Sequence, residues 1–215
     1  MAKLYFRYGT VGCGKTFVLL SVAHTYQIQG KSAFLIKPTC DTRFGASSIR
    51  SRSGVTREAD LLVDPQSILP IQQMALHQCI LVDEAQFLSV EMVNQLKRFS
   101  VLQNIPVICY GLRTDFRSQS FPGSQRLLEI ADSLEEIKTT CMYCNHKAIF
   151  NLKIPIPTSA LEWKSFFEGT AIDLGCEEKY HPVCSSCYLE THASVFPVPS
   201  IPSPSDVHDN PTPSH

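Results

Sequence analysis

Gly9, Gly14, Lys15 and Thr16 stand at the spacing G-x-x-x-x-G-K-[ST] near the start of this chain, a spacing that grips polyphosphate when a strand precedes it and a helix follows. Glycine leaves no Cβ between the backbone N–H groups and the phosphates, so the whole loop, Gly9, Thr10, Val11, Gly12, Cys13 and Gly14, is expected to wrap them. Lys15 would neutralise β/γ charge and the Thr16 hydroxyl would ligate Mg²⁺. A second pair of reactive residues closes the apolar run "ILVDE". Asp83 is suited to holding Mg²⁺ or one of its waters, and Glu84 to taking a proton from whatever attacks the γ-phosphate. The attacking group is either water or the hydroxyl of a second substrate. A third set is Cys141-x-x-Cys144 and Cys184-x-x-Cys187, two pairs whose spacing suits a structural Zn²⁺ held by four thiolates, with a disulfide pair or free thiols as the alternatives. His146 and His181 lie beside these cysteines but are surplus to a filled shell. Phe87, Phe116 and Phe121 follow strand ends and, with Tyr180, could form a pocket for a planar base, although aromatics in such places are more often packing.

These residues need a frame. "KLYFRY" at 3–8, "SAFLIK", "QCILVDE" and "IPVICYGL" read as buried strands, while 15–29 (closed by Gly30), "SVEMVNQLKRFSVLQN" with Ser89 as cap, and "QRLLEIADSLEEI" have helical spacing. Strands alternating with helices predict parallel crossovers and an open, mostly parallel α/β sheet, with ligands at the carboxyl ends of its strands. The polar loops "DTRFGASSIRSRSG" and "RTDFRSQSFPGS" both begin at such ends. Residues 1–140 are expected to form this nucleotide-binding domain, 141–190 a small zinc-binding domain, and the Pro/Ser-rich 191–215 a disordered tail. Hydrophobic content of 44% and charged content of 18% fit a globular protein, and a formal net charge of −1 argues against nucleic-acid or anionic-membrane partners. No apolar run approaches the roughly 20 residues that span a bilayer. The start "MAKLYFRYG" reads as a strand rather than a leader, so the nine cysteines are expected in a reducing, cytoplasmic setting. "DEAQ" resembles a helicase tetrapeptide, but a motor needs a second lobe and a basic track.

Taken in order, the N-terminal phosphate loop, "DTRFG", "VDEAQF", "YGLRTDF", the two CxxC pairs and "EKYHPVC" resemble the thymidine kinases of bacteria and the animal cytosol over about Leu4 to Tyr188. The resemblance implies a P-loop NTPase (RecA-like) core with a zinc-bound lasso, and ATP-dependent phosphorylation of the thymidine 5′-hydroxyl. It places Lys15 and Thr16 on the ATP phosphates and Mg²⁺, with Asp83 supporting the metal and Asp41 and Arg43 near it and the transferring phosphate. Glu84 becomes the base. Phe87, Phe116, Phe121 and Tyr180 line the thymine pocket, and Gly175 belongs to the lasso. It also implies a homotetramer inhibited by dTTP. Departures are Val11 where Met is frequent, Phe17 where a hydroxyl residue is, Cys176 for the second lasso glycine, and a longer, Pro-rich stretch after Lys153. They bear on nucleoside choice more than on the reaction. Two other classes fit fewer of these residues: a regulatory or nucleic-acid-dependent P-loop ATPase with a zinc ribbon, and a pseudokinase.

Overall fold

The computed structural model describes residues 1–43, 45, 47–154 and 179–193. Six short strands, β1 (Leu4–Tyr8), β2 (Ala33–Pro38), β5 (Leu61–Val63), β6 (Cys79–Val82), β7 (Val107–Gly111) and β8 (Ser133–Glu136), form one sheet in the order β5-β2-β6-β7-β1-β8. Every pairing within it is parallel. The crossovers carry α1 (Lys15–Ile28), the single turn α2 (Ile71–Met74), α3 (Val90–Leu102) and α4 (Pro122–Ile130). Near-continuous apolar runs are what a strand covered on both faces requires, and the side chains divide by the strand period of two. Leu4, Phe6, Phe34, Ile36, Ile80, Val82, Val107 and Cys109 pack with Met92, Val93, Leu96 and Phe99 of α3 and Leu127 of α4. Ala33, Leu35, Cys79, Leu81, Ile108 and Tyr110 face the other way, against Leu19, Leu20 and Ala23 of α1. Ser89 caps α3, its Oγ accepting from the Met92 N–H at 3.3 Å.

Two expectations are corrected. "QRLLEIADSLEEI" is not one helix: α4 stops at Ile130, Ala131 is extended (φ −66°, ψ 142°), and Ser133–Glu136 is the edge strand β8 beside β1. The cause is long-range. Asp132 accepts the Leu4 N–H on its carboxylate and donates its own N–H to the Leu4 carbonyl, both at 2.8 Å, which docks the segment along β1. The serine-rich loop at 41–54 likewise contains β3 (Ser48–Arg50), which pairs antiparallel with β4 (Thr56–Glu58). Ile49, buried in the α1-side core, anchors that hairpin.

Beyond the sheet, β9 (Phe150–Lys153) and β10 (Tyr180–Val183) form an antiparallel pair, followed by α5 (Ser185–Ala193). Gly175, Cys176, the Pro-rich stretch from 155 and the tail from 194 lie outside the described residues. Among the described residues no helix is long and apolar enough to cross a membrane.

Candidate active site

The loop between β1 and α1 takes the conformation its glycines allow, with Gly12 and Gly14 at φ 79° and 88°. Gly9 is needed for space: a Cβ there would stand 2.5 Å from both Cys13 Sγ and the Ile137 carbonyl oxygen. Lys15 folds back over the loop, its Nζ donating to the carbonyls of Thr10 at 2.8 Å and Gly9 at 3.4 Å. Thr16, at the start of α1, lies with Oγ1 3.2–3.3 Å from both carboxylate oxygens of Asp83 at the end of β6. A hydroxyl and a carboxylate converging on one point are the oxygen donors a hard cation takes. Magnesium carried in with a nucleotide would supply charge neutralisation there.

Glu84 follows in the left-handed conformation (φ 47°, ψ 42°), at a cost of roughly 1–2 kcal/mol for a residue with a Cβ. That turn puts its carboxylate on two neighbours: it accepts from Arg43 Nη2 and from Gln86 Nε2. Arg43 also grips Asp41 with two bonds, Nε–Oδ1 at 2.6 Å and Nη2–Oδ2 at 3.0 Å. Lys37, fully buried on β2, reaches Asp41 at 3.5 Å. The two acids of "VDE" are thereby driven apart. Burial, then the charge of Glu84, pushes the Asp83 carboxyl up to about 7. Burial acts the same way on Glu84, but the Arg43 guanidinium and then Lys15 outweigh it and hold that carboxyl below the usual range. Opposite environments thus pull the proton affinities of two adjacent carboxyls apart. A pocket of about 320 Å³ opens in front of these groups, reached by Gly12, Lys15, Thr16, Phe17, Arg43 and Glu84.

The turn Ala85–Phe87 connects this charged end to an aromatic one. Phe87, Phe116, Phe121 and Tyr180 come together with Val11 and Leu112 in one apolar cluster. Phe87 meets Phe121 edge-on at 5.8 Å, and Phe116 lies 6.3 Å from Tyr180.

Three contributors have no motif of their own. Gln86 accepts the Leu112 N–H on Oε1 at 3.0 Å while holding Glu84. Its position inside "DEAQF" was the available signal. Lys37 donates to the Ser48 carbonyl at 2.8 Å as well as reaching Asp41. Asn151 on β9 accepts the Val11 N–H at 2.8 Å and donates to the Thr114 carbonyl at 3.1 Å, tying the phosphate loop to the loop after β7. Nothing in the pattern of "AIFNLK" announces it.

Cys141, Cys144, Cys184 and Cys187 bring their sulfurs within 4.8 Å of one another. Burial raises the Cys141 thiol, but backbone N–H groups of Cys184, Tyr143 and Cys144 aimed at it carry it down to about 6. Four converging sulfurs with amide donors around them suit a tetrahedral, borderline-soft ion, and Zn²⁺ there would tie β9 to β10. His146 contacts Cys144 through Nδ1 at 3.3 Å, and His181 pairs with the Tyr143 hydroxyl at 2.8 Å.

Comparison with known proteins identifies the family. The family model for thymidine kinase matches residues 2–188. A thymidine kinase of Lactococcus lactis is 39% identical over 196 residues, covering 88% of this chain and 98% of its own. One of Streptococcus gordonii is 40% identical over 192 residues, covering 88% and 97%. Among solved structures, the Pif1 helicase of Candida albicans superposes over 63% of this chain and 36% of its own, with a TM-score of 0.36 and 12% identity, too little to carry an argument.

Proposed function

The chain belongs to the thymidine kinase family, and on that premise we propose that it transfers the γ-phosphoryl group of ATP to the 5′-hydroxyl of thymidine, giving dTMP and ADP in deoxynucleoside salvage. The observation that carries this reading is the placing of Glu84. It opens into the pocket beside the phosphate loop, and the turn that begins after it delivers Phe87 to the aromatic cluster. A base held ionised between a phosphate grip and an apolar slot for a flat ring is placed for a nucleoside hydroxyl rather than for bulk water.

In this reading the loop from Gly9 to Gly14 and Lys15 hold the triphosphate, and Thr16 with Asp83 holds the magnesium that accompanies it. The thymine ring lies among Phe87, Phe116, Phe121 and Tyr180, with Gly175 contributing from the lasso. Glu84 takes the proton as the 5′-oxygen bonds to the γ-phosphorus, and the electron pair of the breaking bond leaves on the β-phosphate oxygen of ADP. Arg43, anchored by Asp41, keeps Glu84 ionised and faces the transferring group. The family resemblance adds a structural Zn²⁺, a cytoplasmic site of action, a homotetramer and inhibition by dTTP.

Glu84→Gln tests the reading. The amide keeps the shape, so ATP and thymidine should still bind while turnover falls roughly 10²–10⁴-fold, the range for a missing general base. The native protein should hydrolyse ATP only slowly without thymidine. Rapid ATP turnover in the absence of any nucleoside would mean that the phosphate goes to water, as in a regulatory or nucleic-acid-dependent ATPase, and would end the kinase reading.

A further inference from the structure

We propose that the β3–β4 hairpin is the second wall of the donor site and that Arg52, seconded by Arg50, binds the triphosphate of the incoming nucleotide. The inference deepens the kinase reading and rests on it. Three antiparallel pairs, Ser48 with Glu58, Ile49 with Arg57 and Arg50 with Thr56, form the hairpin. Two contacts seat it. Ile49 is buried against the α1-side core, and Lys37, itself buried, donates to the Ser48 carbonyl at 2.8 Å. The bend is closed by the Ser51 N–H on the Val55 carbonyl at 2.9 Å, with Gly54 at φ 89°. A hairpin held in this way presents its arginines at a fixed place.

That place is the phosphate loop. Arg50 and Arg52 both line the pocket that Lys15, Thr16 and Arg43 also line. Nη1 of Arg52 stands 3.1 Å from the point where a Cβ on Gly12 would be, so the guanidinium lies over the backbone that wraps the phosphates. Lys15, Arg43, Arg50 and Arg52 all line this one cavity, in a chain whose formal net charge is −1. Cationic side chains lining one cavity raise the local concentration of anions there. A planar guanidinium also matches two phosphate oxygens at once.

Initial rates and calorimetry on Arg52→Ala decide the matter. A charge-assisted hydrogen bond lost from a phosphate weakens binding roughly 10–100-fold, so KM for ATP should rise by that factor while KM for thymidine, the melting temperature and the zinc content stay as they were. Because the arginine reads phosphate and not base, inorganic tripolyphosphate should lose affinity by the same factor as ATP, and Arg52→Lys should recover part of it. An unchanged KM for ATP, or a loss confined to ATP and absent for tripolyphosphate, would overturn the assignment. Lys15→Ala run alongside separates the two levels of failure. Should it abolish turnover while Arg52→Ala is silent, the hairpin assignment alone falls. Should it leave turnover intact, the phosphate-loop reading falls and the hairpin assignment goes with it.

Discussion

Arg43 bonds two acids at once, Asp41 through Nε and Nη2 and Glu84 through Nη2, so Glu84 owes its charge to a residue five places ahead of the hairpin. Burial works against ionised Asp41, but the two bonds from Arg43, aided by Lys37, overcome it and set the Asp41 carboxyl below its ordinary value. The folded state therefore binds that proton less readily than the unfolded chain does. The stabilisation from this pair is complete above the ordinary carboxylate range and is lost as pH falls through the depressed value. Asp41→Asn should consequently lower the melting temperature at neutral pH and narrow its gap from the native protein in acid, which melting curves across that window would reveal. A gap of constant width would refute the account. At this scale the sequence was legible wherever chemistry imposes spacing: the phosphate loop, the acids ending "ILVDE" and the cysteine pairs. Asn151 escaped because a buried amide that bonds backbone groups far along the chain leaves no interval to read, and Gln86 was marked only by its place in "DEAQF".

One level up, the turn at 85–87 is the element on which both halves of the site depend, and α4 is what holds it. Gly123, in the first turn of that helix, lies so close to it that an added Cβ would stand 2.6 Å from the Leu88 carbonyl oxygen, 2.8 Å from that of Ala85 and 3.0 Å from that of Gln86. These are backbone atoms and cannot swing aside. Gly123→Ala should shift the turn, lower the melting temperature, and raise KM for thymidine several-fold through Phe87, by the overpacking that costs typically 1–3 kcal/mol. A variant with native stability and native thymidine KM would refute this coupling. The strands that carry the site could be read from their unbroken apolar runs, because burial on both faces leaves that signature. β8 could not. Its residues alternate poorly, Leu134 is 48% exposed, and what makes "SLEE" a strand is an unpaired edge of β1 lying 128 residues earlier in sequence. The β3–β4 hairpin was hidden for a similar reason, with one apolar anchor among serines and arginines.

For the molecule as a whole, the cysteine cluster is remote from phosphate chemistry in sequence yet connected to it in space. Tyr180 lies on β10 and Asn151 on β9, the two strands between the cysteine pairs, so both halves of the site lean on the hairpin that the metal would tie. Removing the metal with a chelator, or replacing Cys187 by Ser, should weaken thymidine and ATP binding together while far-UV dichroism of the α/β core changes little. Binding isotherms that stay native after zinc is gone would separate the two regions. The Asn151 contact also bears on how the protein comes into being. The side chain that fastens Val11 leaves a ribosome 140 residues after Val11 itself. A growing chain thus exposes its glycine loop well before Asn151 can fasten it, so that contact is made only once β9 has emerged.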